Sequence, residues 1–136
     1  MGEIIETVDA EDAVRHHLWN TLPYSVKVCV PPSPTEWPPQ SVYIERTGGG
    51  MTSLVVDEAQ LTFESRAPTP AQAMQLALDV RAAIGTLQRM HMLGNIPIYG
   101  GTEVAAPYHD PDPDNAKLPR VTQTHTLRMR IKKRED

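Results

Sequence analysis

Proline placement is the feature of this 136-residue sequence that most restricts its fold. Nine of the thirteen prolines fall in two windows, five of them in residues 31–39 and four in residues 107–119. Proline lacks a backbone N–H and fixes φ at about −65°, so neither a helix interior nor a central strand readily passes through such a window. The two windows therefore predict two restrained loops that divide three stretches of regular structure.

Composition predicts that these stretches fold together. The sequence is 40% hydrophobic, and a chain of this length buries roughly two-thirds of its unfolded surface in one core. We expect a single domain over residues 1–132, followed by a charged tail at 133–136. No run approaches the roughly 18 apolar residues of a membrane span, and the lone Cys29 cannot close an intramolecular disulfide. These features favour a soluble protein in a reducing, cytoplasmic setting.

Hydrophobic periodicity predicts two helices. The first spans residues 9–22, with Asp9 as its N-cap. The second begins at Thr69 followed by Pro70, a capping side chain with proline at the first helical position, and we expect Gly94-Asn95 to end it. Its apolar stripe comprises Ala73, Leu76, Ala77, Val80, Ala83, Ile84, Leu87 and Met90.

Alternating and β-branched residues predict five strands. Their ranges are 25–30, 42–46, 53–66, 96–104 and 121–132. We expect Gly48-Gly49-Gly50 to form a flexible hairpin tip, the strand to have a break or bulge near Asp57, and Gly100-Gly101 to form a bulge. The last strand alternates strictly, with its odd-numbered residues facing a core. The order α-β-β-β-α-β-β predicts an α+β fold, a mostly antiparallel sheet packed by two helices with two proline-rich loops.

Charge is distributed unevenly along the sequence. Residues 1–127 hold eight Lys and Arg against fifteen Asp and Glu, whereas residues 128–136 hold five against two. An acidic body repels phosphate backbones, which argues against a general nucleic-acid-binding protein. The basic strip Arg128, Arg130 and Lys132 is either a solvated edge strand with a charged tail or a contact surface.

No pattern in the sequence assigns catalytic, cofactor-binding or metal-ligating residues. Asp110, Asp112 and Asp114 match the first ligand positions of a calcium loop, but Asn115 replaces its turn glycine and Val121 its final acid. We interpret this segment as an acidic, turn-rich loop and expect no enzyme activity, cofactor or metal.

Other polar residues also favour structural roles. Adjacent His16 and His17 point about 100° apart on a helix and cannot share a metal ion. His125 is expected to be buried and hydrogen-bonded, and the apolar setting of Cys29 is expected to raise its pKa.

Three stretches in sequence resemble the tail terminator proteins of long-tailed bacteriophages, especially those of actinobacteriophages. They are VYIERTGGG at 42–50, LTFESRAPTPAQAMQLALDVRAAI at 61–84 and VTQTHTLRMRI at 121–131. The family shares a strand ending in Arg-x-Gly-Gly, an alanine-rich helix and a late Asp-Pro-Asp element, in this order. The resemblance covers about residues 1–132, and the proline-rich helix entry and the 31–39 loop depart from it.

The resemblance implies a virion structural protein. Tail terminators form a ring, commonly a hexamer, that caps the tail tube, ends its polymerisation and provides the surface that joins the head. The implied partners are further copies of the chain, the tail tube protein and a head-completion or connector protein, with DNA only as cargo passing through the lumen and no membrane. The implied location is the head-proximal end of the virion tail, after assembly in the host cytoplasm.

Seven residues are candidate interface positions. They are Arg46, Gly48, Gly49, Gly50, Arg128, Arg130 and Lys132. The glycine tip and the 31–39 loop are candidate contacts with the tail tube or neck, and the basic strip either joins subunits or lines the lumen. The alternatives are another neck or connector protein of the phage and a small non-catalytic adaptor domain.

Overall fold

The computed structural model of the chain describes residues 5–6, 8–23 and 25–133. Two helices, α1 (Ala10–Thr21) and α2 (Pro70–Met90), pack on one face of a six-stranded sheet. The strands are β1 (Ile5–Glu6), β2 (Lys27–Cys29), β3 (Ser41–Met51), β4 (Val56–Arg66), β5 (Met92–Leu93), β6 (Ile96–His109), β7 (Arg120–Arg130) and β8 (Lys132–Lys133). The α+β class and the α-β-β-β-α-β-β order of the main elements are confirmed.

The six-stranded sheet has the order β2-β3-β4-β7-β6-β5. All its pairs are antiparallel except β2 with β3, while β1 and β8 form a separate antiparallel pair. The strand that carries the basic strip, β7, lies in the middle of the sheet, which excludes the edge-strand interpretation. Arg128 and Arg130 stay at least partly exposed in this central strand because they lie near its end.

Both helices begin where the sequence predicts. The Asp9 side chain accepts a hydrogen bond from the Asp12 N–H (3.1 Å), and Thr69 accepts one from Gln72 (3.2 Å). The predicted end of α2 is wrong, because His91 adopts a left-handed conformation (φ 57°) and stops the helix after Met90. Gly94-Asn95 instead connects β5 to β6.

The glycine run is not a hairpin tip. It lies inside β3, where Gly49 pairs with Ala59, and the turn falls at residues 52–55. A register shift between Arg46 and Gly48 bulges the strand, and Gly49 follows at φ 83°. A Cβ atom on Gly49 would collide with the Glu58 carbonyl oxygen. Glycine therefore serves a bulged strand here, which local sequence does not distinguish from a turn.

The predicted break or bulge near Asp57 is also wrong. Pairing of β4 with β7 is continuous from Val56 opposite Arg130 to Arg66 opposite Arg120. Asp57 is tolerated inside the strand because it forms an ion pair with Arg46.

Strand β6 forms the irregular side of the sheet. Its register shifts between Ile98 and Gly101, as the predicted bulge requires, and at two later points. It continues through Pro107 to His109, so the second loop starts later than predicted. From Tyr99 onward, no described strand pairs with its outer edge, and proline is tolerated at such an edge.

The core lies between the sheet and the helices. Leu61 and Phe63 are buried as predicted, and the odd-numbered face of the last strand is buried throughout. That face consists of Val121, Gln123, His125, Leu127, Met129 and Ile131. In the described ranges, no helix combines the length and apolar character needed to cross a membrane.

Candidate assembly interface

The basic strip lies at one end of the sheet, on the face opposite the helices. Arg128 donates to the Tyr99 carbonyl oxygen (3.2 Å), and Arg130 donates to the Tyr99 hydroxyl (3.2 Å). Neither arginine forms an ion pair with any described residue. Lys132 pairs through its backbone with Glu6, and its side chain lies outside what the structure describes.

An apolar turn adjoins these arginines. The Val55 carbonyl accepts the Ile131 N–H (3.0 Å), and Leu54 is 88% exposed at the tip. We call the combined surface the knob. It comprises Met51, Leu54, Val55, Tyr99, Arg128 and Arg130, all at least partly exposed. Leu54 is not among the interface residues predicted from the sequence, because the sequence placed the hairpin turn at the three glycines.

Arg46 is engaged within its own chain. Its guanidinium donates to both Asp57 carboxylate oxygens (2.7 and 2.8 Å), and its backbone N–H donates to Glu11 of α1 (2.7 Å). The hydrogen bonds to Asp57 raise the pKa of Arg46, which favours the charged guanidinium. These contacts join β3, β4 and α1, and a role for Arg46 in an interface stays a prediction.

The structure brings the candidate glycines to the same end of the sheet as the basic strip. Gly50 pairs with Glu58, which pairs in turn with Arg128. Gly50 is exposed, and no atom would lie within 4 Å of an added Cβ. A contact through Gly48, Gly49 or Gly50 stays a prediction.

The two proline-rich loops meet at the opposite end of the sheet. They enclose a cleft of about 580 Å³. Its lining residues are Thr35, Glu36, Trp37, Pro39, Asp112, Asp114, Asn115, Lys117 and Leu118. We call this the loop cleft; its walls combine apolar side chains with three carboxylates and one lysine.

A buried arginine fixes both loops to the sheet. Arg66 is 1% exposed and donates to Glu64 (2.9 Å) and Asp112 (3.1 Å). Its guanidinium carbon lies 3.5 Å from the centre of the Trp37 ring, a cation–π contact. One side chain on β4 therefore contacts residues of the first and second loops. Its Nε and Nη1 atoms have no acceptor among the described residues.

The acidic segment of the second loop is bound by arginines. Arg120 pairs with Asp110 (3.2 Å), and the hydrogen bond from the Asp114 N–H, followed by that from Arg66, lowers the pKa of Asp112. The interpretation of 110–115 as an acidic, turn-rich loop agrees with this geometry. Sequence periodicity gave no indication of Arg66, since its partners lie on distant loops.

Two further expectations about polar side chains are confirmed. His125 is buried and its Nε2 lies 2.8 Å from the Gln123 side-chain oxygen. Burial lowers the pKa of His125 and raises that of Cys29. Both groups are neutral at pH 7, and neither belongs to the knob or the loop cleft.

The molecule is thus an α+β sheet protein with two chemically different ends. No family model matches the chain, and no curated protein matches it in sequence. It is similar in fold to a chain in the solved structure described as "Virion of native gene transfer agent (GTA) particle". The TM-score is 0.56 at 15% identity, covering 89% of this chain and 94% of that chain. At this identity the similarity concerns the fold.

Proposed function

We propose that this chain is a structural protein of a phage-like virion. The observation that carries the proposal is the fold shared with a chain of a gene transfer agent virion, which spans 89% of one chain and 94% of the other. A match of this extent covers most of both chains rather than one motif. We assign the protein no catalytic role.

Within the virion, we propose that the chain forms a ring, hexameric in keeping with the family resemblance, that caps the tail tube. The ring would end tube polymerisation and present the surface that joins the head. The resemblance of residues 42–50, 61–84 and 121–131 to tail terminators supports this role. A ring also needs two different complementary patches on each subunit. Among the described residues, Arg128 and Arg130 at one end of the sheet and Glu36 and Asp114 at the other form no ion pair within the chain.

Tail length tests the proposed role. Deleting the gene from the virus is expected to give tails of irregular length and heads without tails, and the wild-type gene supplied in trans should restore both. Tails of normal length, joined to heads in the absence of the protein, would contradict the proposal. Electron microscopy of the particles measures both quantities.

The basic strip has two possible positions in a ring, and one variant separates them. Arg128→Glu with Arg130→Glu abolishes rings if the strip joins subunits. If the strip lines the lumen, rings form normally and DNA ejection changes. Arg89→Glu, an exposed arginine at the end of α2, is the matched control.

A further inference from the structure

We propose that the knob of one copy inserts into the loop cleft of a second copy. This inference rests on the ring proposed above and specifies which surfaces of neighbouring subunits meet. Its occupant is a second copy of this chain, chosen because the two surfaces are complementary in charge and in apolar character.

The positions of the two surfaces require a second molecule. Arg120 and Arg130 mark the two ends of β7, pairing with Arg66 and Val56 respectively. The two residues are ten residue steps apart along the strand, a distance of about 33 Å at roughly 3.3 Å per step. A chain therefore cannot fill its own cleft with its own knob, and a head-to-tail contact leaves one knob and one cleft free for the next subunit.

The chemistry of the two surfaces is complementary. The knob presents Tyr99 beside two arginines, residue types that are enriched among those that dominate protein interfaces. Leu54 adds an exposed apolar side chain at its tip. The loop cleft offers apolar walls at Trp37 and Leu118. Glu36 and Asp114 at the cleft form no ion pair with any described residue, and neither does Arg130. Opposite charges in an interface favour correct pairing and speed association.

The loop cleft is held ready for an occupant. Prolines restrict both loops, and Arg66 holds Trp37 and Asp112, one lining residue from each loop. Ordering these loops on docking therefore costs little entropy.

A charge swap tests this contact. In the purified full chain, Arg130→Glu and Asp114→Arg are each expected to weaken self-association at least about tenfold, and their combination to restore it. Both positions are exposed, so the fold is retained, which circular dichroism verifies. Arg89→Glu and Asp79→Arg make the same charge changes on exposed positions of α2 and are expected to leave association unchanged.

A neutral substitution tests the apolar part. Leu54→Ser is expected to weaken self-association about tenfold. The control is Leu78→Ser, because Leu78 is also exposed but lies on α2, away from both surfaces. Sedimentation velocity at up to about 0.5 mM chain covers dissociation constants in the micromolar range and above.

The outcomes separate this inference from the proposed function. Rings that are insensitive to all three knob and cleft variants would overturn the contact and leave the ring standing. A closed dimer that responds to the swap would keep the contact and overturn the ring. A wild-type chain that stays monomeric overturns the contact, and tail length then decides the function separately.

Discussion

At the scale of single residues, Arg66 determines the geometry of both loops. It is almost fully buried, contacts Trp37 of the first loop and forms an ion pair with Asp112 of the second. Without Arg66, Glu64 and Asp112 would keep only their longer ion pairs with Arg120, at 3.6 and 3.8 Å, and loss of a buried charge partner is costly. The side chain thus couples the stability of the domain to the shape of the loop cleft.

We expect Arg66→Ala to lower the free energy of unfolding by about 3–5 kcal/mol, since Asp112 and Glu64 lose a buried cation. Urea unfolding measures the change. Arg66→Lys keeps the positive charge but should still be less stable than the wild type, because lysine lacks the planar group that stacks on Trp37. Arg89→Ala, at an exposed position, should change stability by less than about 0.5 kcal/mol. Equal effects at positions 66 and 89 would contradict the structural role.

Burial of His125 predicts a pH dependence of stability. Its neighbours include Phe63, Glu103 and Arg81, and desolvation lowers its pKa in the folded state. Below about pH 6.5 the unfolded chain then binds more protons than the folded chain, so stability falls as the pH is lowered. The slope contributed by one such group is at most about 1.4 kcal/mol per pH unit.

Thermal unfolding between about pH 7.5 and pH 5, a range that spans the ordinary histidine pKa, tests this dependence directly. His125→Gln should flatten the dependence, since glutamine keeps a polar contact with Gln123 and does not titrate. Asp112 also has a lowered pKa in the folded state. Its contribution to folding stability is lost only at more acidic pH, below about 4. An unchanged slope in the variant would assign the pH dependence to other groups.

At the scale of elements, two neighbouring glycines of β3 differ in what their backbone positions require. Gly49 has φ 83° and faces the Glu58 carbonyl, whereas Gly50 faces open space. We expect Gly49→Ala to destabilise the domain by about 1–3 kcal/mol, and Gly50→Ala to leave it within about 0.5 kcal/mol. Chemical denaturation of the two variants compares them. Equal losses would mean that the bulge in β3 is not held at Gly49.

The same elements show what the sequence can predict. The start of α2 follows from Thr69-Pro70, and the buried face of β7 follows from strict alternation, because both signals are local. The glycine run was misassigned because permissive backbone serves turns and bulged strands equally. The loop cleft could not be predicted, since a lone arginine on β4 does not reveal which distant loops it will join.

At the scale of the whole molecule, a contact between a basic knob and an acidic cleft predicts salt-dependent assembly. Raising NaCl from about 0.1 M to 1 M shortens the Debye length from about 10 Å to 3 Å and should weaken self-association. The apolar contribution of Leu54 persists at high salt, so the Leu54→Ser variant should lose the remaining association. Light scattering across a salt series measures both effects. Association that strengthens uniformly with salt would indicate a mainly apolar interface.

The irregular outer edge of β6 has a consequence for how the chain accumulates. An exposed strand edge is a template for uncontrolled addition of further strands, which leads to aggregates and fibrils. Register shifts against β7 bend β6, and Pro107 supplies no backbone N–H. The outer edge of β6 is therefore a poor template for the regular addition of a further strand.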